Sequence, residues 1–87
     1  MSYDPSIVVT RDRINQGYGV VLNTRDESGN WVKAVDKNVG GGKKFVFGPW
    51  NKAYPLGTYG VDPTTHTAWA VINHASEFAV VESTPSP

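Results

Sequence analysis

The chain has 87 residues and no cysteine, which allows one domain and excludes a disulfide framework or a thiolate metal site. A domain of this length buries only about 60 to 65% of its unfolded area, so self-association or docking onto a larger body is its natural source of further burial. Eight basic and eight acidic residues cancel, and no run of either sign exceeds Asp26-Glu27 or Lys43-Lys44, which leaves no long-range field for nucleic acid or anionic lipid.

From the N-terminus, Met1-Ser2-Tyr3-Asp4-Pro5 lacks a basic segment followed by an apolar stretch, and no apolar run reaches membrane-spanning length. The expectation is a chain without export signal or membrane anchor, in the cytoplasm or in a virion. Period-two alternation of β-branched and aromatic residues dominates the remainder of the chain. It predicts strands at Ile7 to Ile14, Tyr18 to Thr24, Trp31 to Asp36, Phe45 to Phe47, Thr58 to Val61, Thr67 to Asn73 and Phe78 to Ser83. Asn15-Gln16-Gly17, Asp26 to Asn30 and Asp62-Pro63-Thr64-Thr65 are the turn chemistry between them. In the second of these strands, Tyr18, Val20 and Leu22 form the expected core face, opposite Gly19, Val21 and Asn23.

Two segments read as irregular candidate contact loops. Lys37 to Lys44 holds three consecutive glycines and cannot keep a fixed strand without external support, and Gly48 to Gly57 is bounded by prolines and rich in aromatics. The glycine run Gly40 to Lys44 is not a phosphate-binding loop, because Phe45-Val46-Phe47 after it is a strand and not a helix; it reads as a flexible hairpin loop. Between Trp69 and Val81 the alanines favour a helix, but Val71, Ile72, Val80 and Val81 around Asn73-His74-Ala75-Ser76 predict a hairpin. The fold expected is a small single-domain antiparallel β-sandwich or barrel of about six or seven short strands over residues 1 to 83, with a Pro/Ser tail at 84 to 87.

Chemistry-bearing constellations are sparse. His66 and His74, the only histidines, flank a strand at ends about 25 Å apart and read as solvent-exposed turn residues, not as a metal pair with Asp62 and Glu77. Asp26 and Glu27 diverge in a turn, and no nucleophile motif occurs. No catalytic, cofactor or metal residue is assigned, and the chain is expected not to be an enzyme.

The aromatics carry the functional signal. Trp31, Trp50 and Trp69 stand 19 residues apart, the first two in a shared Gly-x-Trp-x-Lys-Ala frame. Outside that frame the copies do not match, so a regular meander of hairpins is the expected origin of the spacing. Trp69, amid Ala68, Ala70, Val71 and Ile72, reads as core. Trp31 opens a strand after a turn and fits either role, whereas Trp50, between Pro49 and Asn51, has the context of a recognition residue. The expected partner or ligand contacts are Trp50, Tyr54, Asn51, Pro55, Leu56 and Trp31, together with the chain ends Met1 to Pro5 and Ser83 to Pro87.

Three functions fit these residues. The leading one is a structural or interaction protein that oligomerises or docks on a larger assembly, such as a capsid decoration or another phage-particle component. The alternative is a carbohydrate-binding module stacking sugars on Trp50, Tyr54 and Trp31 with Asn51 bonding hydroxyls. The third is an inhibitor or effector that inserts one of the two loops into another protein's cleft.

Overall fold

In a computed structural model that describes residues 1–74 and 77–84, the chain is all-β, with six strands in two three-stranded sheets. Strands β1 (Gly19–Arg25), β2 (Trp31–Lys33) and β6 (Phe78–Ser83) form the first, in the order β2-β1-β6 and antiparallel throughout. Strands β3 (Lys44–Phe47), β4 (Thr58–Asp62) and β5 (Thr67–Ala70) form the second, where β4 pairs with β5 antiparallel but with β3 parallel.

That parallel pair corrects the expectation of an antiparallel meander. Parallel neighbours cannot be joined by a tight turn, so the chain must cross over one face of the sheet to start again at the same end. The ten residues between Phe47 and Thr58 make this crossover.

The expected strand from Ile7 to Ile14 is also corrected. Its alternation is real at first, with Val8 64% exposed and Val9 buried. Thr10 then caps a short helix, α1 (Arg11–Asn15), its Oγ1 accepting the Arg13 N–H at 3.1 Å. Capping chemistry wins there over the weak alternation. The strand expected from Trp31 to Asp36 stops at Lys33, because Ala34–Lys37 winds into a 3-10 helix that buries Ala34 and Val35. That helix is tied back to the β1–β2 turn by Lys37, whose ammonium donates to Glu27 at 2.7 Å and holds that carboxylate below its usual range.

The hairpin expected across Trp69 to Val81 is absent: β5 and β6 belong to different sheets. The strand predicted to run to Asn73 ends at Ala70. Val71 still bonds the second sheet, its N–H donating to Thr58 O at 2.8 Å. Asn73 is then clamped to the segment after the 3-10 helix, its amide donating to Val39 O at 2.8 Å while its Oδ1 accepts the Val39 N–H at 3.0 Å. Ala75 and Ser76 of the expected turn, and Pro85 to Pro87 of the tail, lie outside the described residues.

Tyr3, Val9, Val20, Val61 and Ala68 make the core, with Ile7, Ile14, Leu22, Phe47 and Val80 packed against it. Val20 and Leu22 thus take the expected face of β1, but Asn23 on the other face is buried too, so this central strand is covered on both sides. The N-terminus, expected as a contact element, is occupied within the fold. Met1 O accepts the Ala68 N–H at 2.9 Å, Ser2 bridges Thr67, and Tyr3 N–H donates to His66 O at 2.9 Å, which covers the edge of β5.

Tyr3 carries its ring into the core, yet its hydroxyl is buried with no hydrogen-bond partner among the described residues. Burial, and then the Asp62 carboxylate, push its pKa up. The unfolded chain therefore ionises first, so stability is full below the ordinary phenol value and falls as pH rises past about 10. Tyr3→Phe is expected to leave stability unchanged or raise it by about 1 kcal/mol, since it removes an unpaired polar atom, and to blunt that alkaline loss. Urea unfolding of both proteins at neutral pH and on the alkaline limb measures the two effects.

Candidate functional site: the Trp50 crossover and an aromatic groove

Gly60 pairs with Trp69 in the register of β4 and β5, next to the pair Val61 and Ala68 that points into the core. Side chains alternate along a strand, so Trp69 lies on the opposite, outer face of the second sheet. It is only 7% exposed there. The Trp69 indole lies across Gly60, where a Cβ would stand 2.6 Å from Cζ2. The crossover covers it: Tyr54 stacks on the indole at 5.6 Å between ring centres and 6° between planes, and Nε1 donates to Gly48 O at 2.8 Å. The reading of Trp69 as buried holds, but its burial is a second small cluster beneath the crossover, separate from the main core.

The remaining crossover residues divide between scaffold and surface. Asn51 Oδ1 accepts the Ala53 N–H at 2.8 Å and its backbone carbonyl accepts the Tyr54 N–H at 3.0 Å, so this residue shapes the turn that delivers Tyr54. Pro55 is exposed, while its carbonyl accepts from Thr58 N–H at 3.1 Å and from Thr58 Oγ1 at 2.8 Å. Leu56 is half-buried against the glycine run, within van der Waals reach of Gly41. Gly57, at φ 94°, lies so close to Gly42 that a Cβ would fall 1.5 Å from the Gly42 carbonyl oxygen. The glycine segment is therefore no hairpin loop: it links the 3-10 helix of one sheet to β3 of the other and rests on the crossover, which supplies its support. Between the two lies a cleft of about 300 Å³ lined by Gly41 to Lys44 and Pro55 to Thr58.

On this braced platform Trp50 is 56% exposed, flanked by exposed Pro49 and Asn51. Of the expected contact residues, then, the structure leaves Trp50, Asn51 and Pro55 at the surface and turns Tyr54 and Leu56 inward. Trp31 is elsewhere, on β2 of the other sheet, 39% exposed beneath the Arg25 guanidinium at 4.8 Å. Arg25 in turn faces Glu77 at 3.5 Å. The shared Gly-x-Trp-x-Lys-Ala frame thus occupies two unlike settings, an edge strand and a crossover.

A second site was not legible in the sequence. Where the two sheets meet, a groove of about 370 Å³ is lined by Tyr18, Val21, Lys33, Phe45 and Tyr59. Two cations lie over its aromatics: Arg13 over Tyr18 at 4.4 Å and Lys33 over Tyr59 at 5.2 Å, the Lys33 ammonium also donating to the Tyr59 hydroxyl at 3.4 Å. Each such stack contributes about 0.5 to 1 kcal/mol at an exposed site. Phe45 and Tyr59, paired across β3 and β4, meet edge-on at 5.6 Å. Alternation placed both on strand faces, but their meeting with Lys33 needs the two sheets to be packed.

His66 lies in a turn as expected, but neither histidine is exposed. His66, half-buried, receives the Tyr3 ring edge-on at 5.7 Å. His74 packs on Phe78, and its Nε2 lies 2.8 Å from Ala34 O, so that nitrogen carries the proton, a carbonyl being only an acceptor. Among the described residues no three His, Asp or Glu side chains gather, and no helix is long and apolar enough to cross a membrane. Compared with protein-family models, with characterised proteins and with solved structures, the chain matches none.

Proposed function

We propose that this chain is a non-enzymatic interaction protein that oligomerises or docks on a larger protein assembly, of the kind that decorates a capsid or builds another part of a phage particle. The observation that carries the reading is Trp50: a large apolar ring, more than half exposed, on a crossover braced from below by the Tyr54–Trp69 stack and the Gly48 bond. An aromatic presented on a rigid platform loses little conformational freedom on docking, which is the condition for a binding hot spot.

The carbohydrate alternative is weaker on the same geometry. Of its proposed platform, Tyr54 has one ring face against Trp69, Asn51 Oδ1 is used in its own turn, and Trp31 stands on the other sheet. Trp50 remains as a single stacking plane.

Sedimentation velocity over a micromolar to millimolar series tests the proposal. The wild type is expected to associate, and Trp50→Ala to weaken that association by about thirtyfold or more, the effect of losing a hot spot of about 2 kcal/mol. Near-UV circular dichroism from the Tyr54–Trp69 stack is expected to stay intact in the variant. A wild type that remains monomeric across the series, or an unaffected variant, removes Trp50 as the anchor of self-assembly.

A further inference from the structure

Two sheets of three strands have four outer edges, and the fold treats them unequally. The edge of β5 is covered by Met1 to Tyr3, and β2 offers only three residues. The outer edges of β3 and β6, four and six residues long, receive no backbone hydrogen bond from any described residue. An unpaired strand edge is a template for another strand, and natural proteins usually blunt it with a proline, a bulge or a charge pointing inward. Neither strand contains a proline, and their charges stand near one end only, Lys44 opening β3 and Glu82 late in β6, which leaves Phe45-Val46-Phe47 and Phe78-Ala79-Val80-Val81 uncharged.

The atoms these edges present can be assigned. Lys44 N–H donates to Gly57 O, Gly48 N–H donates to Val61 O, and the Val46 carbonyl is directed at Gly60, so residues 44, 46 and 48 face β4. By the two-residue alternation, the N–H and C=O groups of Phe45 and Phe47 point outward. In the first sheet Asp26 N–H donates to Asn30 O on the β2 side, so the odd-numbered residues of β1 face β6. The pairs Val21 with Val81 and Asn23 with Ala79 are then the hydrogen-bonded ones, and Phe78, Val80 and Glu82 point outward.

We infer that β3 of one copy adds antiparallel to β6 of a second copy, joining the β3-β4-β5 sheet of one molecule to the β2-β1-β6 sheet of the next. This rests on the assembly reading above but uses a different surface from Trp50. Charge selects the occupant and its direction. Antiparallel addition brings Lys44, at the start of β3, to Glu82 near the end of β6, and sets Phe45 and Phe47 among Phe78, Val80 and Glu82; the neighbouring Lys43 is engaged within the chain by Asp36 at 2.6 Å and is not counted. Parallel addition would instead bring Lys44 to Glu77, already held by Arg25, and leave Glu82 beside Phe47. Because the two edges differ, the contact is heterologous, and repetition closes a ring or grows a filament according to the rotation between copies.

Hydrogen exchange and sedimentation of the whole chain test this with three variants. In the wild type, the amides of Phe45, Phe47, Phe78 and Val80 are expected to gain protection as concentration rises. Phe45→Pro removes an outward donor and none of the bonds to β4, and is expected to weaken association by about tenfold or more, while Phe45→Ala, which keeps the donor, weakens it less. Association that survives Trp50→Ala but is lost in Phe45→Pro supports the edge contact and rejects Trp50 as the anchor; loss in both supports both. Association lost in Trp50→Ala but indifferent to Phe45→Pro overturns the edge contact and leaves the Trp50 reading standing. Concentration-independent exchange at the four amides, or equal effects of Phe45→Pro and Phe45→Ala, also overturns it.

Discussion

Trp69→Ala is expected to cost about 3 to 5 kcal/mol, the range for removing a large buried aromatic, against a total of roughly 4 to 13 kcal/mol for a domain of this length. Three losses coincide at that residue. The indole is the floor on which Tyr54 stacks, its Nε1 is the donor that satisfies Gly48 O, and it fills the space above Gly60. Without it the crossover has no base, and the near-UV signal of the stacked pair is expected to vanish even where some folded protein persists. Trp69→Phe separates the contributions: it keeps an aromatic plane for Tyr54 but leaves the Gly48 carbonyl without its partner, and is expected to cost about 1 to 3 kcal/mol. Chemical unfolding followed by far-UV circular dichroism supplies both numbers. A Trp69→Ala protein within about 1 kcal/mol of wild type would show that the crossover is held by its ends alone.

Gly57→Ala is expected to be nearly as damaging, for a different reason. At φ 94° a side chain is already strained, which by itself costs about 1 to 3 kcal/mol. The added Cβ would also fall 1.5 Å from the Gly42 carbonyl oxygen, and that atom belongs to backbone and cannot rotate aside. The glycine run and the crossover must therefore separate, and with them the start of the parallel ladder, where Lys44 N–H donates to Gly57 O at 3.2 Å. The expected total exceeds about 3 kcal/mol, with amide exchange at Lys44 and Thr58 rising ahead of the β1–β6 amides. Gly29→Ala, also at positive φ but with nothing within 4 Å of its Cβ, is the control that carries strain without the clash.

The strands were largely readable because β-propensity and period-two alternation act locally. Tyr18 to Thr24 became β1 within a residue, and Phe78 to Ser83 became β6. The turn at Asp26 formed as its chemistry required, with Oδ1 accepting the N–H groups of Ser28 and Asn30 at 2.9 Å each. Where reading failed, the deciding interaction was between distant residues or between two local preferences. Thr10 capping overrode the alternation of Ile7 and Val9, and Asn38 with Val39, about 35 residues before Asn73, replaced the expected hairpin by a clamp. The candidate site shows the same division. Proline and asparagine around Trp50 marked it as a loop residue, but the inward roles of Tyr54 and Leu56 depend on partners at Trp69 and Gly41.

The sequence by itself determined an all-β chain without cysteine, the strands β1, β3, β4 and β6 to within a residue, the turn at Asp26 and the burial of Trp69, because each arises from short-range stereochemistry or from the apolar character of one residue. Only the tertiary structure decided which strands are neighbours. Pairing β3 with β4 in parallel is a long-range choice, and it obliges the intervening ten residues to cross the sheet. That crossing buries Trp69 on the outer face, turns Tyr54 down onto it and lifts Trp50 to the surface. It also leaves β3 as an edge whose charge complements that of β6. Local chemistry places an aromatic in a loop; the path of that loop over the sheet selects which aromatic meets a partner.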